Sequence, residues 1–265
     1  MVRLQRQGRL PRLGVNESTD IFTRSIPKRP VSVTSRPLSP LAIFDLDGTL
    51  VDTAADLVSS LNHTIAAAGL APVTYEDLTH LVGQGARVMI KRAFALRQVE
   101  LPEAELEPLY ERFITHYRAE MPGESRPYPG IVTALDALSA AGITLAVCTN
   151  KTEILALPLL EKLGLTQYFA AITCGDTFEF RKPDARHILG TIEKAGGDVQ
   201  RSIMVGDSIN DILAAKNAAV PSIGVTFGYS DVPMVELEPD VVIDDFAALT
   251  PALFEELVAK GAAAA

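Results

Sequence analysis

Apolar residues in this chain fall into two kinds of run. Short blocks rich in β-formers occur at 41–46, 143–148, 171–174, 202–205, 222–225 and 240–243, several of them stopping in Asp or Thr. Longer stretches with helical spacing lie between them at 130–140, 152–163, 184–195, 209–218 and 246–259, and Gly142, Gly164 and Gly196 close three of these. A compact apolar run that ends in a polar residue and leads into a helical pattern reads as a buried strand of a parallel sheet. Strands alternating with helices predict an α/β, Rossmann-like doubly wound parallel sheet. Ligands of such sheets gather outside the carboxyl ends of the strands. Asp45, Asp47, Thr149 and Asp207 are therefore expected in one crevice, although more than 150 residues separate the first from the last.

The alternation is interrupted once. After strand 41–46 a helix is expected from about Thr53 to Ala68, ended by Gly69. Residues 74–120 then read as helical throughout: Thr74 and Asp77 can open one helix, Val88 to Leu96 forms a second, and Pro102 can start a third. The third carries Leu106, Leu109, Tyr110, Phe113, Ile114 and Tyr117 on one stripe. A strand-poor segment between two strands of one sheet is an inserted helical cap. The expected division is a tail at 1–40, a core at 41–58 and 129–265, and a cap at 59–128.

Composition narrows the function classes. A hydrophobic content of 48% supplies a core, and no stretch approaches the ~20 apolar residues of a membrane span. The net charge of −9 is uneven. Residues 1–40 hold eight basic and two acidic side chains with five prolines, which leaves 16 basic and 31 acidic residues in the remainder. The first 40 residues accordingly read as a disordered basic tail, and the acidic body argues against nucleic-acid binding. Cys148 and Cys174 make neither a zinc pattern nor a disulfide framework, so reduced thiols in a cytoplasmic protein are expected. The expected partner is a small-molecule phosphate ester, with no nucleic acid and no membrane, and the protein is expected as a monomer or homodimer.

Asp45 and Asp47 are two apart and point the same way if the strand stays extended. Carboxylates that close repel unless a cation or proton intervenes, and Mg²⁺ held by oxygen ligands resolves this. One carboxylate can then act as a nucleophile that forms an acyl phosphate, and the other as general acid and base. Thr149 and Asn150 end a strand where a helix begins, which makes an anion site. Lys182, before Pro183, can neutralise phosphate oxygens. Asp207 and Asp211 flank a helix start, so both can face the crevice. His63, His80, His116 and His187 have no ligand spacing.

These segments, in this order, resemble the haloacid dehalogenase superfamily of phosphatases. The first motif of that family is matched by Asp45-Leu46-Asp47-Gly48-Thr49, the second by Thr149 with Asn150-Lys151, the Lys motif by Lys182-Pro183, and the acidic motif by Gly206-Asp207-Ser208-Ile209-Asn210-Asp211. The resemblance covers roughly residues 41–250 and is closest to bacterial phosphoglycolate phosphatases. It implies a Mg²⁺-dependent phosphomonoesterase acting on 2-phosphoglycolate through an aspartyl-phosphate intermediate. It implies Asp45 as nucleophile, Asp47 as general acid/base, and Mg²⁺ on Asp45, the Asp47 backbone carbonyl and Asp207. Thr149, Asn150 and Lys182 would bind the phosphoryl group and Asp211 would support the metal or Lys182. Caps of this family select the substrate, and Gln84, Gly85 and Arg87 in the loop 83–87 are the candidates for that contact. The rival readings are a phosphatase or phosphomutase for another small metabolite, such as a sugar phosphate or pyrophosphate, and a phospho-accepting signalling receiver.

Overall fold

The computed structural model describes residues 38–264. The expectation of a basic tail falls on residues 1–37, outside that range, except that β1 already begins at Ser39. In chain order the elements open with β1 (Ser39–Phe44), β2 (Val51–Asp52), α1 (Ala54–Ile65), α2 (Tyr75–Leu78), α3 (Ala86–Leu96) and α4 (Glu103–Glu120). They continue with β3 (Arg126–Pro127), α5 (Ile131–Ala140), β4 (Thr144–Cys148), α6 (Glu153–Lys162), β5 (Ala171–Thr173), α7 (Ala185–Ala195) and β6 (Gly197–Gly206). The chain closes with α8 (Ile209–Asn217), β7 (Ser222–Val225), β8 (Val241–Ile243) and α9 (Pro251–Ala264).

Six strands form one parallel sheet in the order β5-β4-β1-β6-β7-β8. The period of two along each strand decides which layer it serves. Ala42 and Phe44 of β1, with Leu145, Val147, Ile203 and Val205, join an apolar cluster that includes Leu135 of α5, Leu159 of α6 and Phe254 of α9. Leu41 and Ile43 join the opposite cluster, with Ala146, Met204, Ile188 and Ile192 of α7, and Ala215 of α8. Both faces of the sheet are therefore covered, which is why its strands read as continuous apolar runs.

The central place of β1 positions the site. Its register pairs Phe44 with Val147 of β4 on one side and with Val205 of β6 on the other. The chain beyond β1 thus emerges between the chain ends beyond β4 and β6. At the edge of the crevice, β2 and β3 pair antiparallel at the points where the chain enters and leaves the helical segment. That pair of two-residue strands has no periodic signal. Within the helical segment α1 packs chiefly on α4, and α3 packs on α4. The stripe from Leu106 to Tyr117 is buried along its whole length. Thr74 and Asp77 form the reciprocal capping box that opens α2.

Candidate active site

Asp45 follows the last residue of β1 and is 8% exposed. Its backbone N–H still donates to the carbonyl of Val205, so the strand direction fixes where the carboxylate points. Lys182 Nζ donates to Asp45 Oδ1 at 2.7 Å and to Asp211 Oδ1 at 2.6 Å. Oδ2 of Asp45 accepts no hydrogen bond from the described residues. Lys182 is itself held from behind, because its backbone N–H donates to Nδ1 of the buried His187 at 3.2 Å. The spacing of the histidines pointed to no such role for His187. Burial disfavours the Lys182 ammonium, but Asp211 and Asp45 outweigh it and raise its pKa above the ordinary lysine value. Asp184 caps α7 by accepting from the Arg186 N–H.

Asp207 follows β6 and accepts from Thr49 Oγ1 at 2.9 Å and from the Tyr229 N–H at 2.7 Å. Gly48, at φ +85°, is obligatory here, since a Cβ would run into the Asp207 carboxylate. Asp211 uses its second oxygen for the Ser208 N–H and hydroxyl, completing the capping box of α8. Ligand atoms of the buried residues Asp45, Asp207 and Asp211 lie within 4.8 Å of one another. With all three buried carboxyl groups ionised, the one ammonium among them, Lys182, would leave two negative charges uncompensated. Burial raises the Asp45 carboxyl to about 7, a rise that Lys182 moderates and that Asp211 reinforces. Burial, then repulsion by Asp211 and Asp45, raises Asp207 well above the usual carboxylate range. Hard oxygen donors carrying this excess of negative charge fit a divalent cation.

Asp47 faces elsewhere. Lys151 Nζ donates to its Oδ1 at 2.8 Å and contacts Oδ2 at 3.2 Å, and Thr53 Oγ1 donates to Oδ1 at 2.7 Å. The chain turns after β1, so the Asp47 carboxylate does not point with that of Asp45, and the third carboxylate of the acidic cluster is that of Asp211. Thr53 stands at the N-cap of α1 but does not cap it, since its hydroxyl is engaged with Asp47. The hydroxyl of Tyr229 serves instead, accepting from the N–H groups of Thr53 and Ala54 while donating to Asp52 at 2.7 Å. The residues bracing the site that the sequence reading left without a role are thus Lys151, Thr53, Tyr229 and His187. Lys151 lies two residues after Thr149, and Thr53 ends the run that continues the first motif.

Thr149 is buried at the end of β4, where its Oγ1 accepts the Lys151 N–H. The Asn150 amide nitrogen donates to the carbonyls of Lys182 and Gly83, each at 3.0 Å. Asn210 donates to the same Gly83 carbonyl at 3.2 Å, so two side-chain amides hold the loop between α2 and α3. The cavity beneath that loop has a polar floor of Asp45, Asp47, Thr149, Lys151, Lys182 and Asp207, and an apolar roof that includes Leu57, Val82, Met89 and Phe113. Gly83, Gly85 and Ala86 line it, whereas Gln84 and Arg87 do not. The guanidinium of Arg87 is spent on Glu107, through contacts of 2.7 and 2.8 Å, and stacks on the Tyr110 ring at 3.5 Å. Of the residues expected to contact substrate, Gly85 thus lines the cavity and Arg87 is paired with Glu107 and Tyr110. Cys148 and Cys174 are buried free thiols. No described helix is long and apolar enough to cross a membrane.

Comparison with known proteins agrees with this geometry. The family model of haloacid dehalogenase-like hydrolases matches residues 42–225. The chain is 92% identical over 233 residues to a phosphoglycolate phosphatase of Agrobacterium fabrum strain C58, a match that covers 88% of this chain and 100% of that protein. It is 52% identical over 219 residues to a phosphoglycolate phosphatase of Mesorhizobium japonicum, covering 83% and 96% respectively. Among solved structures, that of a predicted phosphoglycolate phosphatase from Haemophilus somnus 129PT superposes with a TM-score of 0.76 at 32% identity, covering 82% of this chain and 97% of that one. The chain belongs to the haloacid dehalogenase-like hydrolases.

Proposed function

We propose that this enzyme hydrolyses 2-phosphoglycolate to glycolate and phosphate, through an aspartyl phosphate on Asp45. The observation that carries the chemistry is the division of labour between two neighbouring carboxylates of one cavity. Asp45 is paired with Lys182 beside the acidic cluster, and Asp47 is paired with Lys151 and Thr53. Two carboxyl groups in different environments are what a nucleophile and a general acid/base require. The choice of leaving group rests on the similarity to phosphoglycolate phosphatases.

In this reading Asp45 Oδ2, which accepts no hydrogen bond from the described residues, attacks phosphorus. The ester P–O bond breaks, and Asp47 gives its proton to the departing alkoxide. Asp47 then takes a proton from the water that attacks the acyl phosphate, which restores both carboxyl groups. Lys182 and Thr149 hold the phosphoryl oxygens, and Asn150 keeps Lys182 and the cap loop in place. Mg²⁺ would be held by Asp45, Asp207 and the backbone carbonyl of Asp47, with Asp211 in support, and when bound it supplies charge stabilisation for the phosphoryl oxygens. The apolar roof excludes water from the floor. We draw the cap to include α1, opening near residue 53 instead of 59, because α1 packs on α4 and follows directly on β2.

A panel of small phosphate esters tests the reading. With Mg²⁺ present, 2-phosphoglycolate should show the highest kcat/KM, ahead of hexose phosphates and pyrophosphate, and exhaustive chelation should abolish turnover. A clear preference for another ester, or full activity in chelator, would contradict it.

A further inference from the structure

The proposed reaction leaves one buried cation without a task. Lys151 is 6% exposed and lines the cavity. Burial opposes its charge, but Asp47 and Tyr117 outweigh that cost and raise its pKa. Its ammonium reaches Asp47 Oδ1 at 2.8 Å and, on the cap side, the Tyr117 hydroxyl at 3.1 Å. The ammonium is therefore kept charged inside the cavity. The lining residues contain one other cation, Lys182, and that one is committed to Asp45 and Asp211 at the phosphoryl end.

We propose that Lys151 is the specificity-determining residue, binding the carboxylate of an anionic leaving group. This inference rests on the reaction proposed above. The bridging oxygen of the ester must come within hydrogen-bond reach of Asp47, which protonates it. In 2-phosphoglycolate the carboxyl carbon is two bonds from that oxygen, so the carboxylate falls beside whatever stands next to Asp47. What stands there is the Lys151 ammonium, 2.8 Å from Asp47 Oδ1. Tyr117 holds the ammonium from behind, with its ring 4.4 Å from Nζ as well as its hydroxyl in contact. The arriving carboxylate gives Lys151 a new partner and leaves Asp47 Oδ1 to face the ester, with Thr53 still holding it. A neutral leaving group leaves Asp47 tied to Lys151. Discrimination therefore shows in kcat as well as in KM.

The test compares 2-phosphoglycolate with 2-hydroxyethyl phosphate, a neutral leaving group of similar size, in wild type, Lys151→Met and Lys151→Arg. Wild type should prefer 2-phosphoglycolate, and Lys151→Met should reduce the ratio of kcat/KM values by about 10–100-fold, the loss of one charge-assisted contact in a dry site. Lys151→Arg, which keeps the charge, should retain more of that ratio. A wild-type enzyme with no activity on 2-phosphoglycolate would overturn the reaction and this inference together. A preference that survives intact in Lys151→Met, or falls equally in Lys151→Arg, would overturn the inference and leave the reaction standing. Should Lys151→Met not fold, Lys151→Gln replaces it, with the same outcomes.

Discussion

The hydroxyl of Tyr229 accepts the backbone N–H of Thr53 at 2.6 Å, joining the loop after β7 to the N-cap of α1. The backbone N–H of the same tyrosine donates to Asp207. One residue thus contacts both a carboxylate of the acidic cluster and the start of α1, where the Thr53 hydroxyl donates to Asp47. Tyr229→Phe leaves the first N–H groups of α1 and the Asp52 carboxylate without that partner. It should cost about 1–3 kcal/mol in chemical unfolding. Because Thr53 loses its anchor, kcat should fall more than KM rises. Unchanged kcat with lowered stability would make Tyr229 a purely structural cap.

Asp45 is expected to trade stability for reactivity. Its carboxyl is raised from 3.8 to about 7 by burial and by neighbouring acids, so the folded protein binds a proton that the unfolded chain has lost between those values. Stability therefore falls as pH rises through that window, and the penalty is fully present above about pH 7. In chelator at pH 8, Asp45→Asn should be more stable than wild type, by on the order of a few kcal/mol. At pH 4 the gain should largely vanish, and turnover should be lost at every pH. Thermal melts at the two pH values check the sign, and a variant less stable at pH 8 would contradict it.

Arg87→Ala should change little. The guanidinium and Glu107 form a surface pair, and such pairs contribute about 0–1 kcal/mol. The KM for 2-phosphoglycolate should stay within about twofold of wild type, well under the ~1.4 kcal/mol that a tenfold change represents. A large, substrate-dependent rise would return the cap loop's arginine to the specificity argument.

The core was legible because its strands are buried on both faces and so read as unbroken apolar runs. The central strand β1 is the clearest case, with Leu41, Ala42, Ile43 and Phe44 all fully buried. β6 was legible only in part. Its first residues, among them Asp198, Gln200 and Arg201, are polar and half-buried or exposed, so the apolar pattern began at Ser202. In the site, the residues that end apolar runs were found, namely Asp45, Thr149 and Asp207. Residues without such a marker were missed, in a loop and on a helix alike. Tyr229 lies in a loop with no periodicity, and Tyr117 read as one more member of an apolar stripe. Arg87 was chosen for its charge and its nearness to a glycine-flanked loop. Spacing along one segment could not show that Glu107, on another helix, would claim it.

The central claim is a covalent phosphoryl-enzyme at Asp45, and the stereochemical course at phosphorus tests it most directly. Each in-line displacement inverts the configuration at phosphorus. Transfer to Asp45 followed by attack of water comprises two of them. Hydrolysis of an isotopically chiral thiophosphate analogue of 2-phosphoglycolate in labelled water should therefore proceed with net retention. Net inversion would mean that water attacks the ester directly, and it would contradict the assignment of Asp45 as nucleophile.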